Sequence, residues 1–173
     1  MTETRADAPP ATLRALVRPA LVGLAVLVVV AAHAIAAYGA DNLRLAPGLS
    51  FSDDSSASFP IAGEHLDDAA VGEGRATIAF FGTAHCWNTN REAERLVALY
   101  PKYRDRVRFV IVDVEHPSDD QRALIAQHYH GAIPTVVVLA PDGKVLYSRA
   151  GETGGTRGDT TRLDQLLGDA SAK

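Results

Sequence analysis

The chain has 173 residues, a net charge of -4 and 22% charged residues. That length suits one domain of ordinary size with additional segments. A mildly acidic balance with no long block of one sign gives no indication of a nucleic-acid partner, and the single cysteine, Cys86, excludes an intrachain disulfide.

Arg5, Arg14 and Arg18 flank the start of an apolar run, Leu21 to Ala37, interrupted only by His33. A membrane-spanning helix needs about 20 mostly apolar residues, and this run is just sufficient. The arginine bias keeps the N-terminus inside. Residues 1–18 are therefore expected to be a short cytoplasmic N-terminus and 19–39 a transmembrane helix or signal anchor. A cleaved signal peptide is the alternative, since Ala34-Ile35-Ala36 has the small-x-small pattern of such cleavage. Either way the remainder is extracytoplasmic, periplasmic or extracellular, in an oxidising compartment. Residues 40–60 are rich in Ser, Asp and Pro without periodicity, which reads as a flexible linker before a domain at 61–170.

Within that domain, 75–82 (RATIAFFG) reads as a short buried strand. From Asn88 the period becomes helical. Ala93, Leu96, Val97 and Tyr100 share one face, and Arg91, Glu92, Glu94 and Arg95 lie mostly on the other. Pro101 is expected to end or kink this helix near Tyr100. Residues 107–114 (VRFVIVDV) form a second buried strand. A second helix follows, with Ser118 as N-cap, Asp119 and Asp120 at its positive end and Gly131 at its stop. Residues 134–140 are a third strand, Pro141-Asp142-Gly143 a tight turn, and 144–149 the returning antiparallel strand. A last short helix over 160–167 presents Leu163, Leu166 and Leu167. A crossover helix between the first two strands favours a parallel pair. The expected fold is α/β: a mixed central sheet with helices on both faces.

Two stretches carry a resemblance, FFGTAHCWNT at 80–89 and GAIPTVVVLAPDGKVL at 131–146. With them, residues 75–168 resemble a thioredoxin-fold domain. The resemblance implies a cis-proline at Pro134 facing an active cysteine at Cys86. It also implies that Ile133 pairs its backbone with an extended substrate, with Thr135 beside it. Three positions depart from the family pattern. Thr89 stands where the second active-site cysteine would be, His85 where tryptophan is common, and Phe80 where a buried acid assists proton transfer.

A cysteine at a helix N-terminus faces free N–H groups and the positive end of the dipole, which favour a thiolate. The Thr89 hydroxyl and a protonated His85 would add to that. Trp87 is either a partner contact or a lid on the site. The expected function is thus a membrane-tethered monothiol in thiol–disulfide exchange, with Cys86, Thr89 and His85 catalytic. Trp87, Ile133, Pro134 and Thr135 would bind substrate. Its partner would be an unspecified protein or small-molecule thiol or disulfide, besides the membrane itself. A redox-inactive binding or scaffold module is the alternative. A thiol-dependent peroxidase is a further one, because CWNTNREAERLVALYPKY resembles a glutathione peroxidase stretch and Thr83-Ala84-His85-Cys86 fits the Thr-x-x-Cys of peroxiredoxins. No cofactor and no metal are expected, since His85, His116, His128 and His130 could only supplement Cys86.

Overall fold

The computed structural model describes residues 39–151 and 160–172, all within one compact unit, Tyr38–Lys173. The expected membrane segment 19–39 lies outside them except for Gly39. No helix among the described residues is long and apolar enough to cross a membrane.

In chain order the elements are β1 (Asp41–Leu45), β2 (Ile61–Glu64), β3 (Ala76–Gly82), α1 (Trp87–Tyr103), β4 (Val107–Asp113), α2 (Gln121–His128), β5 (Thr135–Leu139), β6 (Val145–Ala150) and α3 (Thr161–Ser171). The main sheet runs β4-β3-β5-β6. β3 and β4 pair in parallel, from Ala76 opposite Val107 to Gly82 opposite Asp113. β5 is antiparallel to β3, with Phe81 opposite Thr135, and β6 returns beside β5.

The two central strands bury every residue, so alternation along them feeds two cores. Ile78, Phe80, Val136 and Val138 pack with Ala93, Leu96, Leu163 and Leu167 of α1 and α3. Ala79, Phe81, Val137 and Leu139 pack with Leu124 of α2. Each fully buried Val, Leu, Ile or Phe side chain contributes about 1.5–3 kcal/mol. This two-sided burial makes the mixed sheet with helices on both faces the stable arrangement, as the strand and helix periods imply.

The structure corrects four expectations. The first concerns residues 40–60, which are no free linker. Asp41–Leu45 forms a two-stranded antiparallel ladder with β2, and Ala40 N–H donates to the Phe109 carbonyl at the edge of β4 (2.8 Å). The polar composition hid this because Leu43 is the one buried residue of the strand. The ladder gains its hold elsewhere, through the Tyr100 hydroxyl bonded to Asp41 and to the Asn42 N–H.

Pro101 does not end α1, which continues to Tyr103 and closes with Arg104 N–H donating to Tyr100 O (2.9 Å). Tyr103 is 2% exposed and its hydroxyl donates to the Asp164 carbonyl (2.7 Å), so tertiary packing overrides the proline. The residue at the N-cap position of α2 is Asp120, not Ser118, and its side chain makes no capping bond; Ser118 reaches the helix start from two residues further back. Gln121 N–H donates to Ser118 Oγ and Ser118 N–H to Gln121 Oε1, both at 3.3 Å, a reciprocal pair like that of a capping box. Finally, Glu92 and Arg95 do not face solvent; they are 0% and 4% exposed. Glu92 forms ion pairs with Arg95 (3.2 Å) and with Arg149 of β6, which lets a charged helix face turn inward.

Candidate functional site

β3 ends at Gly82, and a Cβ there would stand 2.5 Å from Thr89 Cγ2 and 3.0 Å from the Phe80 ring. The chain then turns sharply, with His85 at φ 53, a left-handed backbone rare outside glycine. Cys86 follows in extended geometry (φ -139, ψ 107) as the N-cap of α1. It is half-buried and unpaired. Its carbonyl accepts the Asn90 N–H (3.1 Å), the first turn of the helix.

The Ile133–Pro134 peptide is cis. Pairing of Phe81 with Thr135 sets Pro134 and the Thr83–Cys86 turn at the same end of the sheet. Pro134 is buried and Ile133 half-buried. The Pro134 carbonyl accepts the Gly151 N–H (2.7 Å), and Thr135 Oγ1 donates to the Ala132 carbonyl (2.5 Å). Thr135 therefore braces the turn before β5.

Of the expected thiolate partners, Thr89 is fully buried, and its hydroxyl has no hydrogen-bond partner among the described residues. It makes no hydrogen bond to the Cys86 sulfur; its methyl group fills the space above Gly82. His85 is exposed beside the cysteine. Trp87 is half-buried, with the Arg91 guanidinium 4.2 Å from its ring centroid, a cation–π contact.

The N-terminus of α1 holds residues that the sequence pattern did not single out. Trp87 N–H donates to Asp54 Oδ1 (3.0 Å). Asn90 Nδ2 donates to the Ser50 carbonyl (2.6 Å) and to Ser56 Oγ (2.8 Å), and Arg91 Nε to the Phe51 carbonyl (3.0 Å). The signal was present in Ser50-Phe-Ser-Asp-Asp-Ser-Ser56, residue types that cap helices as readily as they form loops.

Asp113, Glu115 and His116 bring one potential ligand atom each within 4.8 Å of one another, apart from Cys86. His116 Nδ1 lies 3.2 Å from Asp113 Oδ2. A cleft of about 420 Å³ opens beside them, walled by Phe59, Leu66 and Ile111 with Asp67, Asp113 and Gln121. Burial and then the charge of His130 hold the His128 imidazole below its usual titration range.

No protein-family model matches the sequence, and no curated protein is similar to it. Among solved structures, it is similar to thioredoxin of Fasciola hepatica (22% identity, 57% of this chain and 83% of that one, TM-score 0.44). It is also similar to oxidised thioredoxin O2 of Arabidopsis thaliana (19% identity, 57% and 76%, TM-score 0.44). A thioredoxin-like protein of Clostridium perfringens gives 19% identity, 60% and 76% coverage and a TM-score of 0.47. Within this chain itself, the β4-β3-β5-β6 order, the α1 crossover from the cysteine turn and the cis-proline opening β5 coincide. The fold is thioredoxin-like. In this chain the Cys86 turn, the cis Ile133–Pro134 peptide and the buried Thr89 lie around one end of the main sheet, and β1 with the 50–56 segment precedes it.

Proposed function

We propose that this protein is a membrane-tethered, extracytoplasmic thioredoxin-like monothiol that performs thiol–disulfide exchange through Cys86. The observation that carries this reading is the half-buried thiol at the start of α1, at the sheet end that also bears the cis-proline. The Cys86 thiolate attacks one sulfur of a substrate disulfide. The S–S bond breaks, the other sulfur leaves with the bonding pair and takes a proton from water, and a mixed disulfide remains on Cys86. With Thr89 in place of a resolving cysteine, an external thiolate then attacks the substrate-side sulfur and regenerates Cys86. Ile133 supports an extended substrate, since among the described residues no backbone hydrogen bond engages its N–H or carbonyl. The apolar run at 19–39 behind its arginines supports the tether.

The test is incubation of the full chain with glutathione disulfide and mass measurement. One glutathione per wild-type chain, removable by dithiothreitol and absent from Cys86→Ser, is the expected result. An unmodified wild-type chain would leave the second reading, a redox-inactive binding module. Two observations favour that second reading: the Thr89 hydroxyl does not reach the sulfur, and a carboxylate already sits at the helix start.

A further inference from the structure

Residues 50–56 cross the N-terminus of α1 as a strap with two unlike ends. One end is a buried anchor. Asn90 and Ser56 are 0% and 1% exposed, and Ser56 Oγ receives both the Asn90 amide and the Ser50 N–H (2.8 Å each). The other end is exposed and charged, with the Asp54 carboxylate on the N–H of Trp87, the first helical residue after the cysteine.

The first N–H groups of a helix have no partner within the helix and attract an anion. In this protein Asp54 is that anion. A thiolate on Cys86 would place a second negative charge at the same terminus, where one of the donors is already committed. Other ionisable side chains near this terminus include Asp53 on the strap, His85 in the turn and Arg91, whose guanidinium lies over Trp87. Asp53 is tied inside the strap, where hydrogen bonds from Ser55 and then Ser50 hold its carboxyl below the usual range. Arg91 gives its Nε to the Phe51 carbonyl, so the helix's own cation also holds the strap down.

We infer that the 50–56 strap is a built-in brake on Cys86, with Asp54 as its latch: the carboxylate competes with the sulfur for the positive end of α1 and slows the thiol in the closed state. This inference rests on the monothiol reading of Cys86, and its test reads a different quantity.

The measurement is the rate at which the full chain is labelled by iodoacetamide, a neutral reagent, at pH 7 and low salt. Asp54→Asn keeps an oxygen that accepts the Trp87 N–H and removes only the charge. It should label about threefold faster than wild type, the size of effect one charge has at an exposed helix end. That gain should shrink toward unity at 1 M salt, where screening acts over about 3 Å. Ser56→Ala combined with Asn90→Ala releases the anchor and should also accelerate labelling. An Asp54→Asn rate equal to or below wild type overturns the latch. A gain unchanged at 1 M salt overturns its electrostatic basis. Faster labelling without any glutathione adduct leaves the brake standing and sinks the exchange reading; no labelling of either protein sinks both.

Discussion

Gly82 is where the sheet hands the chain to the cysteine turn, and its missing side chain is the reason Thr89 can sit directly above it. A methyl group at 82 would meet Thr89 Cγ2 at 2.5 Å, with the Phe80 ring behind it. Neither neighbour has room to retreat, because Thr89 and Phe80 are both fully buried. Gly82→Ala should therefore destabilise the domain by about 1–3 kcal/mol, the usual cost of overpacking a filled interior. Urea unfolding checks this, and an unchanged midpoint would show that α1 shifts to make room. At this scale the cysteine and the cis-proline were legible in the sequence because each belongs to a short local motif. Asp54 was not. Its partner Trp87 lies 33 residues away, and nothing in a Ser-Asp run says which distant helix it will cap.

Among the elements, β1 and the strap change what counts as the domain. A chain cut at residue 60, where the composition shifts, would lose the β1 ladder, the partners of the Tyr100 hydroxyl and the hydrogen bonds that Trp87, Asn90 and Arg91 of α1 donate to the strap. Its apparent melting temperature should fall clearly below that of a chain beginning at Tyr38. Each kcal/mol lost is worth roughly 4–8 °C in a domain near 100 residues. Equal melting temperatures would mean that these contacts are too solvated to matter. The core strands and the crossover helix were readable from their periods, since β3 and β5 are apolar apart from one threonine each and α1 repeats every three to four residues. Pro101 and Glu92 misled for one shared reason. Local rules assume a helix with one wet face, and α1 meets the sheet on one side while Glu92 reaches Arg149 of β6.

For the whole molecule, titration sets the limits of stability. The Tyr100 hydroxyl and then the Asn42 N–H hold the Asp41 carboxyl below its usual 3.8. The Lys102 ammonium and then the Tyr103 hydroxyl do the same for Asp164. Both carboxylates bind protons less readily folded than unfolded, so their contribution is present above about pH 4 and lost as pH falls below it. The alkaline side runs the other way. Burial, and then the bond to Asp41, push Tyr100 up to about 12 from 10. Its contribution is complete below pH 10 and disappears as pH climbs toward 12. Melting temperature should form a plateau between these limbs, and Tyr100→Phe should make the alkaline limb shallower. An alkaline limb as steep as wild type in that variant would assign it to other groups.

Glu92 has a mechanical consequence. Its carboxylate is fully enclosed between the guanidinium of its own helix and that of β6. Rotating α1, or sliding it along its axis, would part charges that have no water to fall back on, at a cost of several kcal/mol. The helix bearing the thiol is therefore pinned to the outer strand just beyond its first turn. Whatever opens this site must leave that helix in place and lift the strap, a shutter moving over a fixed seat.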